Sequence, residues 1–396
     1  STRHVILKAK ELGVDASGQL FLDLDGGFER GSVVSAGNQA LNTLGDSTLD
    51  RIESIQGMIT LSGLGEIAID QLQAWGDLDL AGSGLSLRLG SLRSQQGDLA
   101  VDIGGVFSAD TVDPQNGLWN LIARQALIGT ATIAGPVQMS ITADLQLDLL
   151  NAGDDVAMVL GSASHIGELD IAGRFDLDVA GMLDLKRARV AGDASLHHRG
   201  LAGTPLRYDA LTVDQTLSVT GAGDWAGRST VVGGDVLFDV GTADLGSLES
   251  LTGTILLTSS GLFAADELHG RQQWIMLTAG SAELGNVSAH SQLAIEADGD
   301  LSIVTGRSGA DMSLTTVAGS LGTIRFGSLA DPDELNVLVP AHLKSAENLL
   351  VRTDGDVFGG NAEAEQLLRM EGRNLYFGRV QSLQGDVSLL SSGDYM

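Results

Sequence analysis

Four far-apart segments of twelve residues place the same residue types at the same offsets. They are Asp50 to Leu61, Gly90 to Val101, Gly246 to Leu257 and Gly378 to Leu389. An aliphatic residue stands two places after the start (Ile52, Leu92, Leu248, Val380), a serine at four (Ser54, Ser94, Ser250, Ser382) and a glycine at seven (Gly57, Gly97, Gly253, Gly385). Apolar residues follow at nine and eleven: Ile59 and Leu61, Leu99 and Val101, Ile255 and Leu257, Val387 and Leu389. Two alternating segments hinged on a glycine read as two short strands joined by a corner. A corner that recurs defines a repeat fold, which overrides any reading of the chain as separate elements.

Weaker copies set the period. Asp266 to Leu277 keeps Leu268, Ile275 and Leu277 and begins 20 residues after the copy at Gly246. Shorter versions start at Gly167, Asp209, Gly285 and Gly327. Corner glycines are spaced alike, with 21 residues between the Gly-Asp pairs at Gly76 and Gly97 and 19 from Gly280 to Gly299, which precedes Asp300. In 396 residues this unit fits about 20 times. It is too short for a strand-helix-strand unit, which needs about 30 residues. It suits one coil of a parallel β-helix, whose short strands stack on those of the next coil. The expected fold is therefore all-β, a single right-handed parallel β-helix (solenoid) of roughly 20 coils with about 20 residues each, continuous over residues 1–396.

Composition agrees with a narrow stacked core. Aromatic residues make up 4% of the chain, and 53 glycines against five prolines supply many tight turns in one solenoid. No linker or abrupt change of composition divides it, although residues 1–49 are less regular. The absence of cysteine removes a disulfide framework, so stability must come from the core and its ladders. With 51 acidic and 23 basic residues the net charge is −28, which repels phosphate backbones and argues against nucleic acid as a partner. The same surface attracts divalent cations. No apolar run reaches the roughly 20 residues of a transmembrane helix. Ser1 is followed by a strand-like run rather than a secretory signal, and the expectation is of a segment cut from a longer protein.

The units of about 20 residues that combine a glycine corner with GD and alternating aliphatics carry a resemblance. GDLDLAG from Gly76, GDLAVDI from Gly97, GDLSIVTG from Gly299 and GDVSLLSSG from Gly385 are similar to the haemagglutinin repeats of filamentous-haemagglutinin-like exoproteins. The likeness covers most of residues 50 to 390, less clearly 110 to 160. It implies a right-handed β-helix shaft from a large bacterial adhesin or biofilm-matrix protein, exported by two-partner secretion and lying at the cell surface or secreted. It further implies an outer-membrane transporter as export partner, a cell-surface glycan, protein receptor or matrix polysaccharide as ligand, and side-by-side self-association. Such a shaft is a scaffold, not an enzyme. The asparagine-proline motif of the family's secretion domain does not occur here, which places the segment within the shaft. The alternatives are a polysaccharide-degrading β-helix and the shaft of a contact-dependent inhibition toxin.

Candidate chemistry is sparse. Asp77, Asp98, Asp193, Asp235, Asp300, Asp356 and Asp386 each follow a glycine at an expected corner. Asp77, Asp98, Asp300 and Asp386 are the candidate ligands for Ca²⁺ between coils. Against this, the nonapeptide of calcium β-rolls is missing, and the favoured reading is that each Asp caps its own turn. Asp23, Asp25 and Gly26 begin like a calcium loop but lack the glutamate at position twelve. No catalytic residues and no cofactor site are assigned. Lys186, Arg187 and Arg189 read as the outer face of a strand, and adjacent His197 and His198 point to opposite faces if extended, so they cannot readily share a metal. Residues 110–130 and 341–370 read as loop or short-helix insertions, on the runs Leu118 to Ile122, Ala341 to Leu350 and Asn361 to Met370. Trp75, Trp225 and Trp274 are expected on the outside, packed under neighbouring loops or stacked on sugars.

Overall fold

The computed structural model describes residues 3–7, 11–24, 30–200, 204–317, 322–327 and 342–393, with the backbone alone for 3–7, 11–15, 24 and 30. All its regular structure is β: parallel strands stacked as a β-solenoid of about 18 turns, about 19 residues each. The chain divides into two compact units, Ser1–Arg199 and Gly200–Met396.

Each turn carries three short strand faces. In the first unit Leu99–Ile103 forms one face. Val106–Pro114 forms the next two, its ladder to the previous turn skipping Asp110, where the chain bends. Trp119–Ala123 then lies directly on Leu99–Ile103, pairing Trp119 with Leu99 and Leu121 with Val101. The alternation of the strands decides what faces inward. Leu99, Val101 and Ile103 are buried while Ala100 and Asp102 point out, as the two-residue period of a strand requires. The first face of this unit runs in register through Leu20, Gln39, Ile59, Leu78, Leu99, Trp119, Val137, Val156, Phe175 and Ala194.

The second unit has the same plan. Its first face runs through Leu217, Val236, Ile255, Ile275, Leu293, Met312, Leu349, Leu368 and Val387. The fourth copy of the twelve-residue pattern keeps this register, yet Val387 is 44% exposed, because among the described residues no turn stacks on its far side.

Core volume is balanced from turn to turn. Phe107 stacks on Ala126, Phe175 on Ala194, Trp225 on Ala243, and Phe263 lies between Ala243 and Ala282. Tyr208 and Phe326 face glycines, Gly227 and Gly359, where an added Cβ would come within 2.1 and 2.0 Å of the respective rings. Aliphatic residues stack on one another along the first face, but at these positions a small residue on the adjacent turn leaves room for a ring about 4.8 Å away in a close-packed interior. Here small residues follow the rings of Phe107, Phe175, Tyr208, Trp225, Phe263 and Phe326.

Three sequence expectations need correction. Residues 110–130 are neither loop nor helix: Trp119, Leu121 and Ala123 are buried strand positions, and Pro114 occupies the ladder place of Ser94. The run Leu118 to Ile122 satisfies both periods when read alone, and only pairing with Leu99–Ile103 selects the strand. Likewise Leu343–Ser345, Leu349–Arg352, Val357–Gly359, Ala362–Ala364 and Leu368–Gly372 are regular short strands across most of 341–370. The departure from the repeat comes earlier. Ile303 pairs with Phe326 and Gly306 with Leu343, so two residues of one turn correspond to sixteen of the next, of which 328–341 lie outside the described residues. Residues 30–49, expected to be less regular, form the in-register strands Arg30–Ser35, Gln39–Thr43 and the start of Ser47–Ser54.

Candidate functional site

The Gly-Asp corners are built for contact between turns. The backbone N–H of Asp98 donates to Asp77 Oδ1 (2.9 Å), and Asp98 Oδ1 in turn accepts the N–H of Leu118 (2.8 Å). Asp46, Asp155, Asp235 and Asp300 accept the N–H of Glu66, Arg174, Thr254 and Thr323 at 2.7 to 2.8 Å. Asn38, Asn348 and Asn361 do the same for Met58, Leu367 and Arg379 at 3.0 to 3.2 Å. Each partner lies one turn on in the stack. For Asp77, Asp98, Asp235 and Asp300 the expected cap of the residue's own turn is replaced by a cap on the same position of the following turn. Asp386 is exposed, its carbonyl accepting the Leu368 N–H at 3.0 Å. Among the described residues no three His, Asp or Glu side chains are grouped so as to hold a metal ion. Asp23 accepts from Asn42 Nδ2 at 3.4 Å, and Asp25 and Gly26 lie outside the described residues.

The serine and glycine of the repeat complete the corner. Ser94 is fully buried, its Oγ accepts the Gly97 N–H at 3.2 Å, and its proton reaches the carbonyl oxygen of Gly76 or Gly97, both at 2.9 Å. Ser250 repeats this with Gly253 (3.1 Å) and Gly234 (2.7 Å), and Ser54 with Gly57 (3.0 Å) and Gly37 (2.9 Å). Gly97 itself meets the turn below so closely that a Cβ would lie 2.3 Å from Asp77 Oδ1 and 2.4 Å from its nitrogen.

Several outward side chains are paired along the ladders. His165 Nδ1 lies 3.1 Å from Asp184, and Arg187 lies 3.5 Å from its register partner Glu168. Lys186, Arg187 and Arg189 are exposed on a strand whose Ala188 and Val190 are buried, as expected. His197 is exposed and His198 buried, so the two rings do point apart. Of the tryptophans, Trp75 is outward at 46% exposure, whereas Trp225 is buried in the core against Phe238, with ring centroids 6.4 Å apart, which corrects its outward placement.

One outward cluster escaped sequence reading. Arg325, Phe358 and Tyr376 are register partners on the second face of the second unit. The rings of Phe358 and Tyr376 stack at 4.9 Å and 8°, and the Arg325 guanidinium sits 5.9 Å from the Phe358 centroid. Beside them Arg373 clamps Asp356 through two bonds of 2.9 and 3.0 Å, and Asn374 Nδ2 adds a third at 3.0 Å. The Arg373 hydrogen bond first, and its charge, hold the Asp356 carboxyl below its ordinary range. The irregular spacing between residues 325 and 358 hid this column.

No protein-family model, no curated protein and no solved structure matches the chain.

Proposed function

We propose that this solenoid is the structural shaft of a large secreted bacterial adhesin or biofilm-matrix protein, a non-catalytic spacer that holds binding parts at a distance from the cell. The fold supplies the scaffold. Support for the rest comes from the repeat's resemblance to haemagglutinin repeats and from the way its distinctive residues are used. The corner serines at Ser54, Ser94 and Ser250 bind backbone groups of the same and adjacent turns, and Asp77, Asp98, Asp235 and Asp300 bind an N–H of the next turn, so what repeats is the means of stacking. That observation carries the reading, because a catalytic constellation would have to stand apart from the repeat. Cysteine is absent, as suits a chain exported unfolded.

The test is export and display. Placed behind a two-partner secretion domain with its transporter, the chain should reach the cell surface and increase attachment of the cells to a surface or to one another. Retention inside the cell, or display with no gain in attachment, would overturn the assignment. Turnover of acidic polysaccharides by the purified chain would replace it with the enzyme reading.

A further inference from the structure

The third face of the second unit contains an arrangement that the stacking of turns does not call for. Its outward column runs Glu249, His269, Ser288, Arg307, Lys344, Glu363 and Gln381, one residue per turn. Arg307 and Lys344 are direct register partners, the one pair among the described register partners that sets cation against cation. Like charges directly opposite in a ladder destabilise it. Here this occurs in a chain with 23 basic residues against 51 acidic ones. Glu363 on the next turn offsets half of it: its Oε1 lies 2.9 Å from Lys344 Nζ, and it also accepts from Gln381 Nε2 at 2.9 Å. Arg307 is exposed on the other side of Lys344.

The neighbouring turn residues open a space in front of these cations. One place beyond the third-face strand, successive turns carry Arg271, His290, Gly309, Ala346 and Glu365. Long side chains thus give way to hydrogen and methyl at Gly309 and Ala346. The result is a cleft of about 600 Å³ lined by His290, Arg307, Gly309, Lys344, Ala346 and Glu363, with Ala289 and Ser308 at its base. A volume of this size takes a ligand of one or two sugar rings. His290 and Glu363 in its lining offer partners to hydroxyl groups, and the Arg307 guanidinium matches a carboxylate or sulfate oxygen pair.

We propose that this cleft binds the oxyanion, carboxylate or sulfate ester, of an acidic saccharide, with Arg307 and Lys344 as its anchors. The site stands whether or not the shaft belongs to an adhesin. The test is isothermal titration of the full chain with oligogalacturonate, a sulfated oligosaccharide, a neutral oligoglucan and inorganic sulfate. Binding of either acidic saccharide, weakened by added salt and absent with the neutral glucan, is expected, and the tighter of the two identifies the anion. Arg307→Gln should weaken it about tenfold or more, as loss of a charge-assisted hydrogen bond does. Among the described residues the Arg307 side chain holds no hydrogen bond or ion pair, and its backbone pairing is kept by glutamine, so unchanged circular dichroism should accompany that loss. Arg207→Gln, an exposed arginine on another face, should leave binding intact. The proposal is overturned if no saccharide binds, if the neutral glucan or inorganic sulfate binds equally well, or if Arg307→Gln binds like the parent.

Discussion

At the scale of single residues, three residue types make the corner, and each acts by a different physics. Glycine supplies room, serine satisfies a buried N–H, and aspartate reaches the turn above. Gly97 is not required for a left-handed backbone but for close approach to Asp77, whereas Gly117, at the same place one turn on, also adopts φ +96°. Gly97→Ala should therefore lower the apparent unfolding free energy by about 1–3 kcal/mol, the usual cost of overpacking. Gly76→Ala, where the nearest atom would be 3.4 Å from the new Cβ, should stay within about 0.5 kcal/mol of the parent in the same urea titration. Tyr208 offers a second test. Its buried hydroxyl lies 2.7 Å from Thr230 Oγ1, and burial pushes its pKa up to about 12 from 10.0. Because the folded value is above the unfolded one, the stability linked to this proton is complete below pH 10 and is lost as the pH rises towards 12. The loss is on the order of 3 kcal/mol. Tyr208→Phe should flatten that part of the stability profile between pH 10 and 12; an unchanged profile would show that another group titrates there.

At the scale of the strand, the governing rule is complementarity between adjacent turns. Phe263 is fully buried with alanine on both sides in the stack, Ala243 and Ala282. Ala282→Leu places a second large side chain against that ring and should cost about 1–3 kcal/mol. Adding Phe263→Leu should recover much of the loss, so that a double-mutant cycle gives a coupling of about 0.5 kcal/mol or more. Additive effects would mean that the two positions relax independently. The same rule explains what the sequence concealed. An alanine or glycine one turn after an aromatic looks like a weak strand residue when read locally. Its value appears only against the ring that stacks on it. Trp119 likewise reads as part of a helix until its strand is laid on Leu99–Ile103.

For the molecule as a whole, charge and register pull in opposite directions. A net charge of −28 repels itself along the stacked turns, while the ladders hold those turns together. Raising sodium chloride from about 0.01 M to about 1 M shortens the screening length from about 30 Å to about 3 Å and should raise the melting temperature. A fall would show that pairs such as Arg187 with Glu168 outweigh the repulsion. Much of the architecture was legible in the chain itself: the period, the all-β class, the inward aliphatics at Ile59, Leu61, Leu99 and Val101 and the outward basic strand at Lys186 follow from spacing and alternation. Those are local properties, set by the two-residue period of a strand and by the recurrence of a corner. The next-turn partners of Asp77 and Asp98, the alanines stacked on Phe107, Phe175 and Phe263, the stacked Phe358 and Tyr376, and the opposition of Arg307 to Lys344 were decided only by the tertiary structure. Each joins residues a full turn or more apart, and the turn varies in length, so no fixed offset in the sequence identifies the pair before the turns are stacked.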